Sequence, residues 1–371
     1  MKIKYIKKYI KKHQFKSIKR YKKYQKRYIN IKSFIKIICI LLLAIIYNIT
    51  KINIFFNSFM KHNTNIHENL FNQTFYKYPK YLKHKSKFKY FFCFCAVARM
   101  ENLYARELVS YYMNLGADKF IFADNNIPNT EKLSDVLQDY IDKGIVDIME
   151  IFGSSIIQTD LYDIMYEKYK NKCEWLSFFD FDEYLVMHFD EKRNITLNEY
   201  LSNQIFNKCE AIGINWLNHG DNDLVYYDNR TLIERFTKPD YSYYGNIYIK
   251  TIFRGNLTKK VFEKGCSHHQ GCLYLKRCDC TGKKPKRGIS CIRPPNHKYA
   301  YIMHYKTKTA EEFVTKIIKG VNGNDYKSFP LDKRIDQFFK HNKLTEEKLK
   351  LFERVFNKTF DKYHKLLDKQ M

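Results

Sequence analysis

The chain lacks the short signatures by which nucleotide and metal sites are most often found. It contains no G-x-G-x-x-G and no Walker pattern, so a dinucleotide fold or a P-loop would be missing its phosphate-cradling turn. Its densest cysteine stretch, Cys266 to Cys291, opens as C-x5-C-x5-C-x-C. A structural zinc asks for paired C-x2-4-C knuckles, so disulfides or plain thiols suit this stretch better than a metal. Carboxylates are absent from the N-terminus, the first being Glu68. Long apolar runs are also scarce. The continuous run Ile37 to Tyr47 has eleven residues, about half of the twenty that a membrane-spanning helix needs. No small-residue cleavage site follows it, which argues against a removable signal peptide.

What is present begins with charge. The 371 residues carry a formal net charge of +27, and fourteen Lys and Arg fall within residues 1–33. Ile, Asn, Tyr, Phe and Lys are enriched together, as AT-biased coding would produce, and the excess is localised, so nucleic-acid binding is not expected. Extending the apolar run over 34–56 reaches spanning length while admitting Lys36, Asn48, Lys51 and Asn53. Lysines near the ends can snorkel to the headgroups, and a basic arm ahead of one apolar segment fixes orientation by the positive-inside rule. The expected organisation is a cytosolic arm at 1–33, a signal anchor at 34–56 and a stem at 57–89. A single-pass type II membrane protein follows, its later residues lumenal in Golgi or endoplasmic reticulum. Sequons at Asn72, Asn194, Asn229, Asn256 and Asn357 agree, as do nine of ten cysteines beyond the apolar segment.

From Tyr90 onward, short apolar runs alternate with amphipathic stretches. Strands are predicted at 90–98, 119–123, 145–151 and 175–186, with helices at 103–115, 133–143 and 158–169. That rhythm argues an α/β domain with a mostly parallel sheet and helices on both faces. Polar groups gather where strands end: Arg99 to Asn102, Asp124 to Asn126, and Asp180, Asp182 and Glu183 at the end of WLSFFDFDEYLV. In open α/β sheets ligands bind outside the carboxyl ends of strands. Asp180 and Asp182, two apart on one strand, would face the same way and suit a divalent cation that keeps phosphates among its ligands. Beyond 186 the rhythm loosens. A helix at 197–204, strands at 211–217, 232–236, 247–253 and 300–304, a helix at 310–319 and charged helix over 333–369 are expected. An acid-bearing loop, His219 to Asp223, follows the strand at 211–217.

The ordered string CAVARMEN, LVSYYMNLGADKFIFADNN, LQDYIDKGIVDI and WLSFFDFDEYLV resembles glycosyltransferase family 92 and its bacterial and viral relatives. Trp216, Gly220-Asp221-Asn222, Glu234-Arg235-Phe236, Lys250, His268 and HYKTKTAEEFVTKIIKG at 304–320 continue the match. Leu108 departs from it, standing where relatives often have Trp. The resemblance implies a GT-A nucleotide-diphospho-sugar transferase fold at 90–325, interrupted by a Cys-rich insertion at 266–297 and followed by a helical extension at 326–371. It implies a metal-dependent, inverting transfer of a hexose from a nucleotide-sugar co-substrate, UDP-sugar favoured, to a glycan or glycoprotein acceptor. Mn²⁺ or Mg²⁺ would be held by Asp180, Asp182 and His304. Arg99, Glu101, Asp124 and Asn126 would hold base and ribose, Lys306 and Lys308 the phosphates, and Asp221 or Asp223 would act as base. The alternatives are a non-catalytic sugar- or nucleotide-binding relative, or a basic nucleic-acid-binding protein.

Overall fold

The computed structural model describes residues 87–152, 158–189, 194–263, 269, 271–285, 290–319 and 330–370. The basic arm, the expected anchor at 34–56, most of the stem and His268 lie outside them. Among the described residues no helix is long and apolar enough to cross a membrane.

Strands and helices alternate from the start: β1 (Tyr90–Ala98), α1 (Asn102–Leu115), β2 (Lys119–Asp124), α2 (Ser134–Asp142), β3 (Val146–Glu150), α3 (Gln158–Tyr169) and β4 (Cys173–Phe178). Side chains of β1 divide between two faces because a strand has period two. Phe92, Phe94 and Ala96 pack with Tyr104, Leu108 and Tyr112 of α1, and Cys93 and Cys95 pack with Leu161, Tyr162 and Met165 of α3. Burial on both faces is why β1 and β2 read as unbroken apolar runs. Gly116, at φ 99°, closes α1 in the left-handed conformation that a side chain would resist.

The first four strands run parallel in the order β3-β2-β1-β4. Past β4 the sheet becomes mixed. It continues β4-β7-β6-β9-β5 through β5 (Glu183–Met187), β6 (Ala211–Asn218), β7 (Ile249–Arg254) and β9 (Ala300–His304), while β8 (Arg277–Cys278) pairs with β6. β7 is antiparallel to both neighbours, β9 is parallel to β6, and β5 is antiparallel to β9. The result is a mixed α/β architecture rather than a uniformly parallel sheet.

Two expected elements differ. WLSFFDFDEYLV is not one strand: β4 ends at Phe178, Asp180 to Asp182 form a turn, and β5 leaves for the far edge of the sheet. The turn is closed by Glu183 N–H donating to the Asp180 carbonyl at 3.2 Å. Facing of the two aspartates is therefore set by a turn and not by strand alternation. Leu232 to Phe236, expected as a strand, is instead a short helix, α5 (Leu232–Arg235), after α4 (Leu197–Leu201). Its cause is a capping box, with Thr231 Oγ1 and the Glu234 carboxylate satisfying each other's backbone N–H groups.

Four helices complete the chain: α6 (Ala310–Lys319), α7 (Leu331–Phe339), α8 (Glu346–Phe356) and α9 (Asp361–Leu367). They share a second core of Phe313, Ile317, Phe338, Leu349 and Phe352. A buried polar knot fixes α6. Arg235 donates to both Glu312 oxygens at 2.7 and 3.0 Å, Tyr104 OH adds a bond at 2.7 Å, and Thr309 caps the helix through the same carboxylate. Arg235→Met would leave Glu312 buried without its cation, an arrangement that costs about 3–5 kcal/mol. A loss of that size in the unfolding free energy measured by urea is expected, and an unchanged midpoint would show the pair to be dispensable.

Candidate active site

Sheet register brings the polar strand ends together. Ala98 pairs with Asp124, so β1 and β2 end level, while Phe178, the last residue of β4, pairs with Cys95 inside β1, so the turn after β4 begins below those two exits. Antiparallel pairing of β5 with β9 sets Glu183 opposite His304, and parallel pairing of β6 with β9 sets Asn218 beside His304. Asp182, one residue before β5, thereby meets β9's last side chain. Its Oδ1 stands 3.7 Å from His304 Nε2, and the Tyr305 N–H donates to its carbonyl at 2.9 Å.

Cations surround Asp182. Lys316 of α6 reaches its Oδ2 at 3.0 Å. Burial alone would raise the Asp182 pKa, but the Lys316 and Lys308 ammonium groups outweigh it and keep the carboxyl well below the usual range. His304 is driven the other way. Burial lowers it to about 3 despite Asp182, so the imidazole is neutral and carries a lone pair at physiological pH. Lys306 contributes its carbonyl to Lys316 at 3.4 Å. Lys308 is buried over the Tyr104 ring at 3.7 Å and faces Glu101 at 3.8 Å.

Asp180 occupies a different setting. Lys250, fully buried on β7, donates to its Oδ2 at 2.8 Å, and Gln158 and Tyr162 of α3 donate to Oδ1 at 3.2 and 3.3 Å. Glu183 accepts the Asp180 N–H at 2.9 Å and lies 3.7 Å from Lys250. Burial pushes the Glu183 pKa well above its usual value, and the side chain shapes the turn through the Asp180 N–H, while Asp180 is the nearer carboxylate to Lys250.

These positions bear on metal binding. Among the described residues no three of His, Cys, Asp and Glu form a ligand cluster, so Asp180, Asp182 and His304 do not assemble as the expected triad. The reason is that Asp180 is turned onto Lys250. Asp182 and His304 do fit a divalent cation as a pair. Their 3.7 Å separation exceeds a hydrogen bond. It is close to the roughly 3.0–3.6 Å between neighbouring ligands that bind at about 2.1 Å. Magnesium-type sites commonly use one or two protein ligands and fill the rest with phosphate and water.

The remaining expected residues separate by role. Asp124 is buried and both its oxygens accept backbone N–H groups, from Leu133 at 2.8 Å and Asn126 at 3.1 Å, which shapes the loop after β2. Asn126 accepts the Met100 N–H and so ties the β1 and β2 exits. Among the described residues the buried Nε of Arg99 has no hydrogen-bond partner. Asp221 is far from free: Lys348 of α8, fully buried, pairs with its carboxylate at 2.6 Å, and Asn342 accepts its N–H at 2.7 Å. This is a brace between the loop after β6 and the C-terminal helices. Asp223 is exposed at φ 65°.

Lys316, Gln158 and Tyr162 carried no expected role, because their spacing within α6 and α3 is that of ordinary helix positions. Only the turn between β4 and β5 and the packing of α6 beside it reveal them. Trp216 and Lys250 stood out as motif members without a role. Here the indole lies against His304 with ring centroids 4.2 Å apart, and Lys250 counters Asp180.

Comparison with known proteins places this geometry. A rice protein described as a glycosyltransferase family 92 protein (Oryza sativa subsp. japonica) is 26% identical over 137 residues, covering 34% of this chain and 20% of the rice protein. The S. aureus TarS crystal structure superposes over 68% of this chain and 43% of that one, at 11% identity and a TM-score of 0.34. The WbbM bifunctional glycosyltransferase apo structure covers 36% of this chain and 24% of its own, at 8% identity and a TM-score of 0.22. Overlays this loose carry no argument, and the chain spans well under half of each relative's length. The family model for glycosyltransferase family 92 matches residues 88–370, from β1 through the last helix. With that match covering most of its length, the chain belongs to glycosyltransferase family 92.

Proposed function

We propose that this protein transfers a hexose from a nucleotide-sugar, a UDP-sugar by preference, to a glycan or glycoprotein acceptor through a GT-A-type site. The observation that carries this is the Asp182–His304 pair at the strand ends, ringed by Lys306, Lys308 and Lys316. An excess of lysine over free carboxylate suits an anionic ligand such as a diphosphate. Asp182 and His304 would hold Mn²⁺ or Mg²⁺, which supplies Lewis-acid neutralisation of the leaving diphosphate when bound. Lys316, which donates to Asp182 Oδ2, would be placed to meet a phosphate oxygen beside it. Arg99 Nε, buried without a hydrogen-bond partner among the described residues, is a donor available to the base or ribose, and Asn126 stands beside it at the β2 exit. Inversion needs a carboxylate at the acceptor hydroxyl. We assign it to Asp223, because Asp221 is engaged by Lys348.

Disulfides Cys93–Cys173 and Cys209–Cys278 support folding in an oxidising compartment, in keeping with a type II anchor and a lumenal domain in Golgi or endoplasmic reticulum. A cation-independent site is favoured by one observation: both aspartates already have lysine partners. A screen of UDP- and GDP-sugars against the purified protein, with Mn²⁺, Mg²⁺ or EDTA, separates the two. Transfer or slow donor hydrolysis that EDTA abolishes and Mn²⁺ restores is expected. Turnover indifferent to EDTA would assign the charge work to the lysines. No turnover with any donor, alongside nucleotide binding, would identify a non-catalytic relative.

A further inference from the structure

An aromatic path leads outward from His304. Trp216 lies between His304, at 4.2 Å, and Tyr248, at 5.7 Å between ring centroids. The backbones beneath the two rings are tied, since the Trp216 backbone N–H donates to the Tyr248 carbonyl at 2.9 Å and Tyr248 forms a β-bridge with Cys291. From Tyr248 the chain runs back through a single 3-10 turn to Tyr244 and then Tyr241. Tyr241 and Tyr244 are the most exposed aromatic rings among the described residues, at 72% and 62%, and Tyr248 is 36% exposed. Arg293 donates to the Tyr244 hydroxyl at 2.7 Å and lies over its ring. Exposed aromatic faces are costly in water, and here each ring keeps a hydroxyl or a guanidinium at its edge.

We infer that Trp216, Tyr248 and Tyr244, with Arg293, form a subsite for a pyranose ring of the acceptor glycan. The inference rests on the transferase reading above and extends it to the acceptor. A pyranose offers an apolar face of C–H groups for stacking and a rim of hydroxyls for hydrogen bonding, which matches rings edged by phenol and guanidinium. A protein surface or a second copy of this chain would call for a broader apolar patch with fewer polar tips at its centre. Position selects the acceptor. The path starts at the imidazole that faces Asp182, so a sugar stacked on Tyr248 lies one ring beyond the point where a donor sugar would be released.

The chain's two tryptophans make the test direct. Trp175 is fully buried against Arg254, so a sugar-dependent change in emission reports Trp216. Full-length protein is titrated with methyl glucopyranoside, galactopyranoside, mannopyranoside and N-acetylglucosaminide. At least one is expected to shift emission saturably. Tyr248→Ala should weaken that binding roughly tenfold, the ~1.4 kcal/mol of one stacked ring. Tyr248→Phe should retain it, and Tyr244→Ala should weaken it by a smaller factor without disturbing the fold. Tyr226→Ala, exposed beside α8, should bind as wild type. No response to any pyranoside, or equal affinity in Tyr248→Ala, overturns the subsite. Donor hydrolysis is measured in the wild-type protein alongside the titration. Its absence from the wild type would sink the transferase reading while leaving the titration to judge the subsite alone.

Discussion

Asp182→Asn is expected to lower sugar transfer by at least about a thousandfold while leaving the protein folded. Several kcal/mol of charge stabilisation at a leaving diphosphate depend on a correctly placed cationic group. Asp182 is the residue through which such a group would be held, together with His304 at 3.7 Å. Asparagine keeps the shape and the backbone bond from Tyr305 but offers no charge. Folding should survive, because the cation released, Lys316, is a third exposed and can be hydrated. Asp180→Asn makes the contrasting case. Its partner Lys250 is fully buried, so the change strands a charge in the interior and shows first as lost stability. Steady-state transfer rates measured beside thermal melts separate the two. Wild-type turnover in a folded Asp182→Asn protein would end the case for this site.

The second large effect concerns the sheet. Removing the Cys93–Cys173 disulfide, as the double alanine variant, is expected to cost about 4–5 kcal/mol. The bond joins β1 to β4 and closes a loop of 80 residues, and loop-closure entropy of that length gives the estimate. For a chain of this size the melting temperature should fall by about 10 °C. Both sulfurs are buried between the sheet and α3, so mild reductant should act slowly on the native protein and quickly once it is loosened in urea. Cys209–Cys278 closes 69 residues and should contribute nearly as much, since the cost rises only with the logarithm of length. A double variant that melts with the wild type would show the cross-link to be without consequence.

How far the sequence was legible depends on how local the cause was. α1, α2 and α3 and strands β1 to β3 were readable because period and length are properties of neighbouring residues. The same locality misled twice. Apolar content from Trp175 to Val186 is continuous, so it read as one strand, whereas the turn at Asp180 to Asp182 sends its second half to pair with β9. Leu232 to Phe236 has strand-like residues, yet the T-x-x-E box beginning at Thr231 makes it helical. That signal was in the sequence and outweighs β propensity over so short a segment. Asp221 was named for chemistry because it sits in an acidic loop. Its partner Lys348 comes from a helix 127 positions later, by 348 − 221 in the same numbering, and nothing local announces it.

What the sequence determined by itself is the alternating α/β order, the cluster of carboxylates at 180–183 and, through its ordered motifs, the family. Each depends on residues that act through their own neighbourhood or through their order along the chain. What only the tertiary structure decided is which charges meet. Lys316 reaches Asp182 across 134 positions and Lys250 reaches Asp180 across 70. Those meetings follow from the sheet order β4-β7-β6-β9-β5 and from α6 docking beside it. Pairing register and helix packing are set by the summed burial of many side chains, and no short window of sequence carries that sum.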